Sequence, residues 1–186
     1  IMAATPSNMM PLGTTAPDFT LPDTISGESK NLTNLKGVQG TIVMFICNHC
    51  PYVIHIKDQL IDIAKQYARL GIGTIAISAN DIENHPQDAP DKMKALMAEW
   101  GNPFVAYCYD ESQTVAKAYL AACTPDIYLF DKDLDCVYRG RLDAATPQND
   151  QPLTGKDLRD ALDALLVGEP INEEQVPSMG CNIKWK

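Results

Sequence analysis

Two cysteines three positions apart, Cys47 and Cys50, are the residues whose type and spacing most directly indicate chemistry. They follow an apolar run at 41–46, and a helical pattern begins immediately behind them. The open N–H groups and the positive dipole end of a helix N-terminus favour thiolate over thiol. A Cys-x-x-Cys pair can also close into a disulfide with little backbone movement. The stretch predicts a redox pair in which Cys47, nearest the helix terminus and the solvent, attacks and Cys50 resolves.

Other residues could tune or extend this pair. His49 lies between the two cysteines, where an imidazolium would stabilise a thiolate and make the pair more oxidising. Cys123 and Cys181 are candidates for additional redox residues, with buried packing and tail docking as their alternatives. Cys108 and Cys136 lie in apolar strand-like runs, which predicts buried packing roles for both.

The same residues allow a metal-binding alternative. Cys47, Cys50 and a histidine are soft enough ligands for Cu(I), which would make the chain a metal-binding or copper-delivery module. A structural zinc site usually needs four ligands and a second paired cluster, and the sequence has no such cluster. Purely sulfur-based chemistry, without a metal or other cofactor, is therefore the leading interpretation.

The surrounding pattern predicts elements that would hold the pair at one edge of a sheet. Apolar strands are predicted at 41–46 and 73–79, separated by an amphipathic helix that Gly71 ends. Strand–helix–strand units imply parallel pairing with right-handed crossovers, and a late hairpin at 126–142 adds antiparallel strands. The fold class is therefore α/β, with a central mixed sheet flanked by helices.

One loop of this pattern and two further histidines also bear on the site. Asn80 and Asp81, at the end of a central strand, are candidates for lining it, and the carboxylates of 81–91 are predicted to form a solvated loop. His55 and His85 are predicted to be surface residues rather than ligands.

Length and charge exclude several classes of protein. A chain of 186 residues fits one domain with decorations. A net charge of −9 argues against nucleic acid or an anionic membrane as partner, since both favour basic patches. The start of the chain lacks the basic and long apolar segments of a secretory signal, and Ile1 before Met2 has the form of a cloning remnant. A cytoplasmic location is therefore expected.

Three segments together resemble a known family. They are Ala16-Pro-Asp-Phe-Thr-Leu21, the strand leading into Cys47-Asn-His-Cys50, and Thr124-Pro125 before the late hairpin. The chain resembles thioredoxin-fold redoxins of the alkyl hydroperoxide reductase and thiol-specific antioxidant group. It is most similar to a peroxiredoxin-like subfamily with a Cys-Asn-His-Cys-Pro-Tyr-Val motif, a Cys-Thr-Pro-Asp segment (Cys123–Asp126) and a Gly-Cys-Asn-Ile-Lys-Trp-Lys ending (Gly180–Lys186).

The resemblance implies a thioredoxin-like fold with an N-terminal β-hairpin extension and a C-terminal tail. The implied organisation is a flexible segment at 1–15, a redoxin domain at 16–170 and a tail at 171–186 that packs on the domain. Thr124 and Pro125 would form a cis peptide facing the cysteine pair, with Cys123 within reach. The family further implies a protein or small-molecule disulfide, or a hydroperoxide, as substrate, an external thiol reductant, and often a homodimer.

Departures from the family patterns rank the alternatives. Thioredoxins carry a tryptophan before the first cysteine, where this chain has Ile46. Peroxiredoxins carry a threonine three residues before the peroxidatic cysteine, and Cys47 would hold that position if Cys50 were peroxidatic. The peroxidase arginine has no counterpart at 120–122, which reads Leu-Ala-Ala, and the later Arg139 and Arg141 are predicted to point elsewhere. Thiol–disulfide exchange is therefore the first hypothesis and thiol peroxidase the second, and a non-enzymatic redox sensor stays open.

Overall fold

Residues 4–186, the part of the chain that the computed structural model describes, form ten strands and five helices. The strands are β1 (Thr5–Pro6), β2 (Thr20–Pro22), β3 (Ser29–Asn31), β4 (Gly40–Phe45), β5 (Ile72–Ser78), β6 (Ala106–Tyr109), β7 (Cys123–Thr124), β8 (Asp126–Asp131), β9 (Cys136–Arg139) and β10 (Met179–Asn182). The helices are α1 (Leu32–Leu35), α2 (Pro51–Ala68), α3 (Pro90–Trp100), α4 (Thr114–Ala118) and α5 (Lys156–Val167), with a 3-10 turn at Pro86–Asp88. Ile1 and Met2, interpreted above as a remnant and a natural start, lie outside the described residues.

A five-stranded mixed sheet forms the centre of the molecule, in the order β6–β5–β4–β8–β9. Strand β4 pairs parallel with β5, and β5 pairs parallel with β6. On the other side, β8 pairs antiparallel with both β4 and β9. The predicted α/β class, mixed sheet and late antiparallel hairpin are therefore confirmed.

Alternate residues of β4 face two separate apolar layers, as the period of two in a strand requires. Ile42 and Met44 pack in the layer formed with α2, α3 and α5, whereas Val43 and Phe45 pack in the layer formed with α4 and the N-terminal residues. Because both faces are covered, every residue of β4 is buried. The sheet therefore presents its site at a strand end rather than on a face.

Helix α2 begins directly where the cysteine pair ends. Its N-cap is Cys50, and Pro51 occupies the first turn, where a missing N–H costs no helical hydrogen bond. Val53, Ile56, Leu60, Ile63 and Tyr67 form its buried stripe, which confirms the predicted amphipathic helix. The stripe anchors α2 against the sheet and so fixes the position of its N-terminus.

Both ends of the chain meet in a second small sheet, in the order β1–β10–β7. Strand β1 pairs with β10, and Met10 is almost completely buried. Residues 4–15 therefore pack on the body, in contrast to the flexible segment expected for 1–15. Pro6, Pro11, Gly13 and the small polar residues of that segment concealed this arrangement, since backbone pairing to the tail rather than a periodic apolar face holds it.

The N-terminal hairpin forms a sheet of its own, in which β2 pairs with β3. A single bridge between Asp23 and Cys108 places it beside β6, the edge strand of the central sheet. Within residues 4–186, no helix has the length and apolar character needed to cross a bilayer.

Candidate redox site

The cysteine pair lies at the junction of β4 and α2. Cys47 occupies the turn after β4, and Cys50 is the N-cap of α2. Both residues are buried, with 2% of Cys47 and none of Cys50 exposed. The expectation that Cys47 lies nearest the helix terminus is therefore wrong, whereas Cys47 is the more exposed of the two residues, as expected. Pro51 opens the helix immediately behind the pair, as the sequence pattern indicated, and Cys50 stays extended as its N-cap.

A cis peptide between Thr124 and Pro125 faces both sulfurs, as the family resemblance implied. The Cys50 thiol lies 3.1 Å from the carbonyl oxygen of Thr124 and donates a hydrogen bond to it. The Thr124 hydroxyl lies 3.6 Å from Cys47 Sγ. One residue thus contacts both members of the pair through different groups.

The C-terminal strand brings a third cysteine to the site. Cys181 is the register partner of Thr124 in the antiparallel pairing of β10 with β7. Its thiol and its backbone N–H both donate towards Cys50 Sγ. The preceding residue must be glycine, since a Cβ on Gly180 would lie 2.0 Å from the carbonyl oxygen of Thr124. Close approach of the two backbones therefore seats Cys181 against Cys50.

Cys123 lies beside the site but does not contact the pair. Successive residues of a strand point to opposite faces, so Cys123 points away from the face that Thr124 shares with Cys181. Its Sγ lies 3.5 Å from the carbonyl oxygen of Pro125 and 4.0 Å from that of Ser178. The structure thus separates the two additional candidates, Cys123 and Cys181, that the sequence could not rank. Cys108 and Cys136 are buried, as predicted.

A buried carboxylate lies next to His49. Asp88 is completely buried, and its Oδ2 lies 2.7 Å from Nδ1 of His49. The atoms are within ion-pair distance when the imidazole is protonated, although Nδ1 makes no hydrogen bond of favourable geometry. His85 stacks on the other side of the His49 ring, with 5.8 Å between the centroids. His49 is thus held between a carboxylate and an aromatic ring.

The prediction of a solvated acidic loop is wrong for Asp88. The backbone N–H of Asn48 donates to Oδ1 at 2.8 Å, and Nδ2 of Asn80 donates to Oδ2 at 2.9 Å. The backbone N–H of Lys184 in turn donates to Oδ1 of Asn80. Asn80 therefore connects the site to the tail, which refines its predicted lining role. The other acidic residues of this loop conceal Asp88 in the sequence, because no local pattern marks which carboxylate turns inwards.

A tyrosine from β6 completes this network. The hydroxyl of Tyr107 donates to Oδ1 of Asn48 at 3.0 Å, and Nδ2 of Asn48 donates to the carbonyl oxygen of Gln87. The residues between the two cysteines are thereby fixed to two neighbouring segments. Sequence reasoning missed Asn48 and Tyr107, since their contacts depend on register between distant strands.

The electrostatics of the pair favour one sulfur as the thiolate. The Cys47 thiol, together with donors from Thr124 and Cys181, lowers the pKa of Cys50 to about 4 despite its burial. The pKa of Cys47 is raised, because its proton is held by the hydrogen bond to Cys50 and because burial and the Asp88 carboxylate disfavour its charged form. The carbonyl oxygen of Thr124 is the contact that opposes a thiolate on Cys50, and it is outnumbered by donors.

Three potential metal ligands also meet at this point. One ligand atom each of Cys47, His49 and Asp88 lies within 4.8 Å of the others. The set differs from the predicted Cu(I) ligands, since Asp88 takes the place of Cys50. A mixture of sulfur, nitrogen and oxygen donors is typical of zinc.

Arginine is placed away from the sulfurs. Nε of Arg139 donates to the carbonyl oxygen of Met10, and Arg141 pairs with Asp157. These contacts agree with the prediction that both arginines point elsewhere.

A paired thiol at the N-terminus of a helix, facing a cis-proline at the edge of a mixed sheet, defines the class of thioredoxin-fold redoxins. The chain belongs to the AhpC/TSA family, whose model matches residues 12–139. Comparison with curated proteins gives no match.

Solved structures agree with this class. A conserved protein from Geobacillus kaustophilus is 52% identical, with a TM-score of 0.97 over 100% of this chain and 97% of that one. The thioredoxin domain of a thiol-disulfide oxidoreductase from Bacteroides vulgatus is 19% identical, with a TM-score of 0.58 over 70% of this chain and 89% of that one. The peroxidoxin BcpB from Mycobacterium tuberculosis is 18% identical, with a TM-score of 0.62 over 86% of this chain and 98% of that one. The last two likenesses show the shared fold alone.

Proposed function

We propose that the protein is a thiol–disulfide oxidoreductase whose redox centre is the pair Cys47 and Cys50. The observation that carries the proposal is the contact of both sulfurs with Thr124 at the N-terminus of α2, where Cys47 Sγ lies 3.6 Å from its hydroxyl and Cys50 Sγ lies 3.1 Å from its carbonyl oxygen. The contact supplies both a stabilised thiolate and an adjacent partner for disulfide formation. The chemistry needs no cofactor.

The reaction proceeds in two exchanges. The Cys50 thiolate attacks one sulfur of a substrate disulfide, so that a mixed disulfide forms and the other substrate sulfur leaves as a thiolate. Cys47 then attacks the Cys50 sulfur, the pair closes, and the second substrate sulfur leaves. The proton of Cys47 passes to the His49–Asp88 pair, whose atoms lie within 4.8 Å of its Sγ. An external thiol reductant restores the dithiol.

This order of attack reverses the one that the sequence predicts. The reason is the position of Cys50 at the helix terminus and the number of donors around its sulfur. Because Cys181 lies against Cys50 and Cys50 is completely buried, we expect substrate entry to require β10 to move away from β7. The substrate is a protein or small-molecule disulfide.

The reduction potential of the pair tests the proposal. Reduced protein is equilibrated in glutathione buffers of graded potential, quenched with acid, alkylated and mapped. Wild type is expected to form a Cys47–Cys50 disulfide with one midpoint, between the values of about −270 mV and about −120 mV that bracket this class. Cys50→Ser should form no disulfide with Cys47. Absence of the Cys47–Cys50 disulfide at every potential, in wild type and in Cys181→Ser, would overturn the proposal.

Thiol peroxidase activity is the alternative to thiol–disulfide exchange. Treating the reduced protein with peroxide in the same mapping experiment distinguishes the two. Here the Cys50 thiolate would attack a peroxide to give a sulfenic acid and an alcohol or water, and Cys47 would condense with it. Membership of the AhpC/TSA family supports this alternative. The arginine contacts described above do not, since Arg139 and Arg141 are engaged elsewhere. Stoichiometric oxidation within seconds by equimolar peroxide would favour the peroxidase.

Metal binding is a second candidate function, supported by the cluster of Cys47, His49 and Asp88. Buried Asp88 already has amide donors that would orient it as a ligand. The test is titration of the reduced protein with Co²⁺, whose thiolate charge-transfer bands report coordination by sulfur. Saturation at one equivalent in wild type and its loss in both Cys47→Ser and Asp88→Asn would support the site. A lack of thiolate bands in wild type would exclude it.

A further inference from the structure

Cys50 has two neighbouring thiols rather than one. Cys47 shares the contact with Thr124 from the turn after β4, and Cys181, the register partner of Thr124, approaches from β10. Cys181 is 4% exposed, so this contact is shielded from bulk solvent. A sulfur flanked by two thiols can form either of two disulfides, but not both at once.

We propose that Cys181 is a third redox residue, which takes over the bond to Cys50 from Cys47. The proposal rests on the proposed function, since it starts from the Cys47–Cys50 disulfide. The Cys181 thiol loses its proton and its sulfur attacks Cys50 Sγ. The Cys50–Cys181 bond forms, the Cys47–Cys50 bond breaks, and the Cys47 sulfur takes up the proton. The electrons balance without an added oxidant, because one disulfide is exchanged for another.

The strand geometry supports this assignment independently of acidity. Register partners in an antiparallel pair have their side chains on the same face, so Cys181 shares the face of Thr124. Thr124 contacts Cys47 and Cys50 from that face. The neighbouring Cys123 lies on the opposite face, and its sulfur contacts carbonyl oxygens of Pro125 and Ser178 instead. The side chain of Cys181 therefore faces the cysteine pair, whereas that of Cys123 faces away from it.

The consequence of the exchange is a covalent link between the tail and the start of α2. Strand β10 is held by its antiparallel pairing with β7 and β1, without a covalent link to either strand. A Cys50–Cys181 bond would fix it over the pair and return Cys47 to the thiol form beside His49 and Asp88. Oxidation would therefore close the path to Cys50 that substrate entry requires.

Disulfide mapping of variants in which one cysteine of the site is replaced tests the proposal. Full-length Cys47→Ser is treated with oxidised glutathione, quenched with acid, blocked with N-ethylmaleimide and mapped under non-reducing conditions. The Cys50 thiolate is expected to attack glutathione disulfide and release one glutathione. Cys181 then displaces the second glutathione, so that more than half of the molecules carry Cys50–Cys181. The matched control, Cys47→Ser with Cys123→Ser, should give the same bridge.

The outcomes separate this inference from the proposed function. If Cys47→Ser stays glutathionylated at Cys50 with Cys181 free, the inference is overturned, even when wild type forms Cys47–Cys50. If Cys181→Ser fails to form Cys47–Cys50 while Cys47→Ser forms Cys50–Cys181, the proposed function fails and the contact between Cys50 and Cys181 is nonetheless redox-active. Far-ultraviolet circular dichroism checks that each variant is folded, and a variant that is not is replaced by the corresponding alanine substitution.

Discussion

The carboxylate of Asp88 is completely buried and lies 2.7 Å from Nδ1 of His49. A buried carboxylate is costly unless polar partners surround it. Asp88 meets this condition with the N–H of Asn48 and the amide of Asn80. Since Asn48 and His49 lie between the two cysteines, the carboxylate fixes the turn that carries the cysteine pair.

Replacing Asp88 should therefore destabilise the protein. Asp88→Ala would leave two buried donors without an acceptor, and each such loss costs about 1–3 kcal/mol. We expect a decrease of about 2–5 kcal/mol in the free energy of unfolding, measured by urea titration of the reduced protein. Asp91→Ala is the matched control, because Asp91 is exposed and its change should be within about 0.5 kcal/mol. Equal effects of the two substitutions would contradict the structural role of Asp88.

The acidity of Cys50 predicts a dependence of stability on pH. Its pKa falls from an ordinary value of 9.0 to about 4 on folding, chiefly because the Cys47 thiol donates to it. As the pH rises, the folded state therefore releases this proton at a lower pH than the unfolded state. The contribution of the Cys50 thiolate to the free energy of unfolding is fully present above about pH 9 and is lost as the pH falls through about 4. The raised pKa of Cys47 acts in the opposite sense, but only above pH 9.0.

The measurement is the thiolate absorbance of reduced protein during acid titration, alongside urea unfolding at each pH. Wild type should lose one thiolate with a midpoint near pH 4, and Cys50→Ser should show none at neutral pH. Cys47→Ser retains a donor and should keep the low midpoint, whereas Cys47→Ala should raise it. A single titration near pH 9 in wild type would contradict the assignment.

Gly180 controls how closely the tail approaches the pair. A Cβ there would lie 2.0 Å from the carbonyl oxygen of Thr124, so Gly180→Ala must push β10 away from β7. We expect Cys50 to become accessible and its alkylation by iodoacetamide to be at least about tenfold faster, which corresponds to about 1.4 kcal/mol of opening free energy. Gly27→Ala is the control, since its Cβ would meet nothing within 4 Å and the backbone strain from its positive φ of 77° falls in the hairpin between β2 and β3, away from the cysteine pair. Unchanged alkylation of Gly180→Ala would show that β10 does not cover the sulfur.

The elements of the central sheet could be predicted because local patterns determine them. The apolar runs of β4 and β5 and the stripe of α2 carry their periodicity in the sequence itself. The Cys-x-x-Cys spacing likewise located the site. The fold class therefore followed from patterns shorter than twenty residues.

The rest of the site depends on long-range register, which no local pattern encodes. Asp88 was hidden among the acidic residues of its loop, and only its position beside Asn48 identifies it. Cys123 and Cys181 could not be ranked, because their faces are set by the pairing of β7 with β10. The proposed order of attack differs from the predicted one, since the first residue of α2 is Pro51, which places Cys50 rather than Cys47 at the helix terminus.

The Thr124 hydroxyl offers a test of the site that leaves the backbone unchanged. It lies 3.6 Å from Cys47 Sγ, and it lowers the pKa of both cysteines. Thr124→Val keeps the shape of the side chain but removes the hydroxyl, so the midpoint for loss of the Cys50 thiolate should move upwards. Because a less stable thiolate disfavours the reduced pair, the reduction potential should become more negative.

Thr124→Ser is the matched control, since it retains a hydroxyl and should keep both values close to wild type. The acid titration and the glutathione equilibration described above supply the two measurements. The carbonyl oxygen of Thr124, which accepts from Cys50 at 3.1 Å, is retained in both variants. A difference between Thr124→Val and Thr124→Ser therefore reports the hydroxyl alone. If both variants behave like wild type, the hydroxyl does not stabilise the thiolate, and the donors from Cys47 and Cys181 account for the acidity of Cys50.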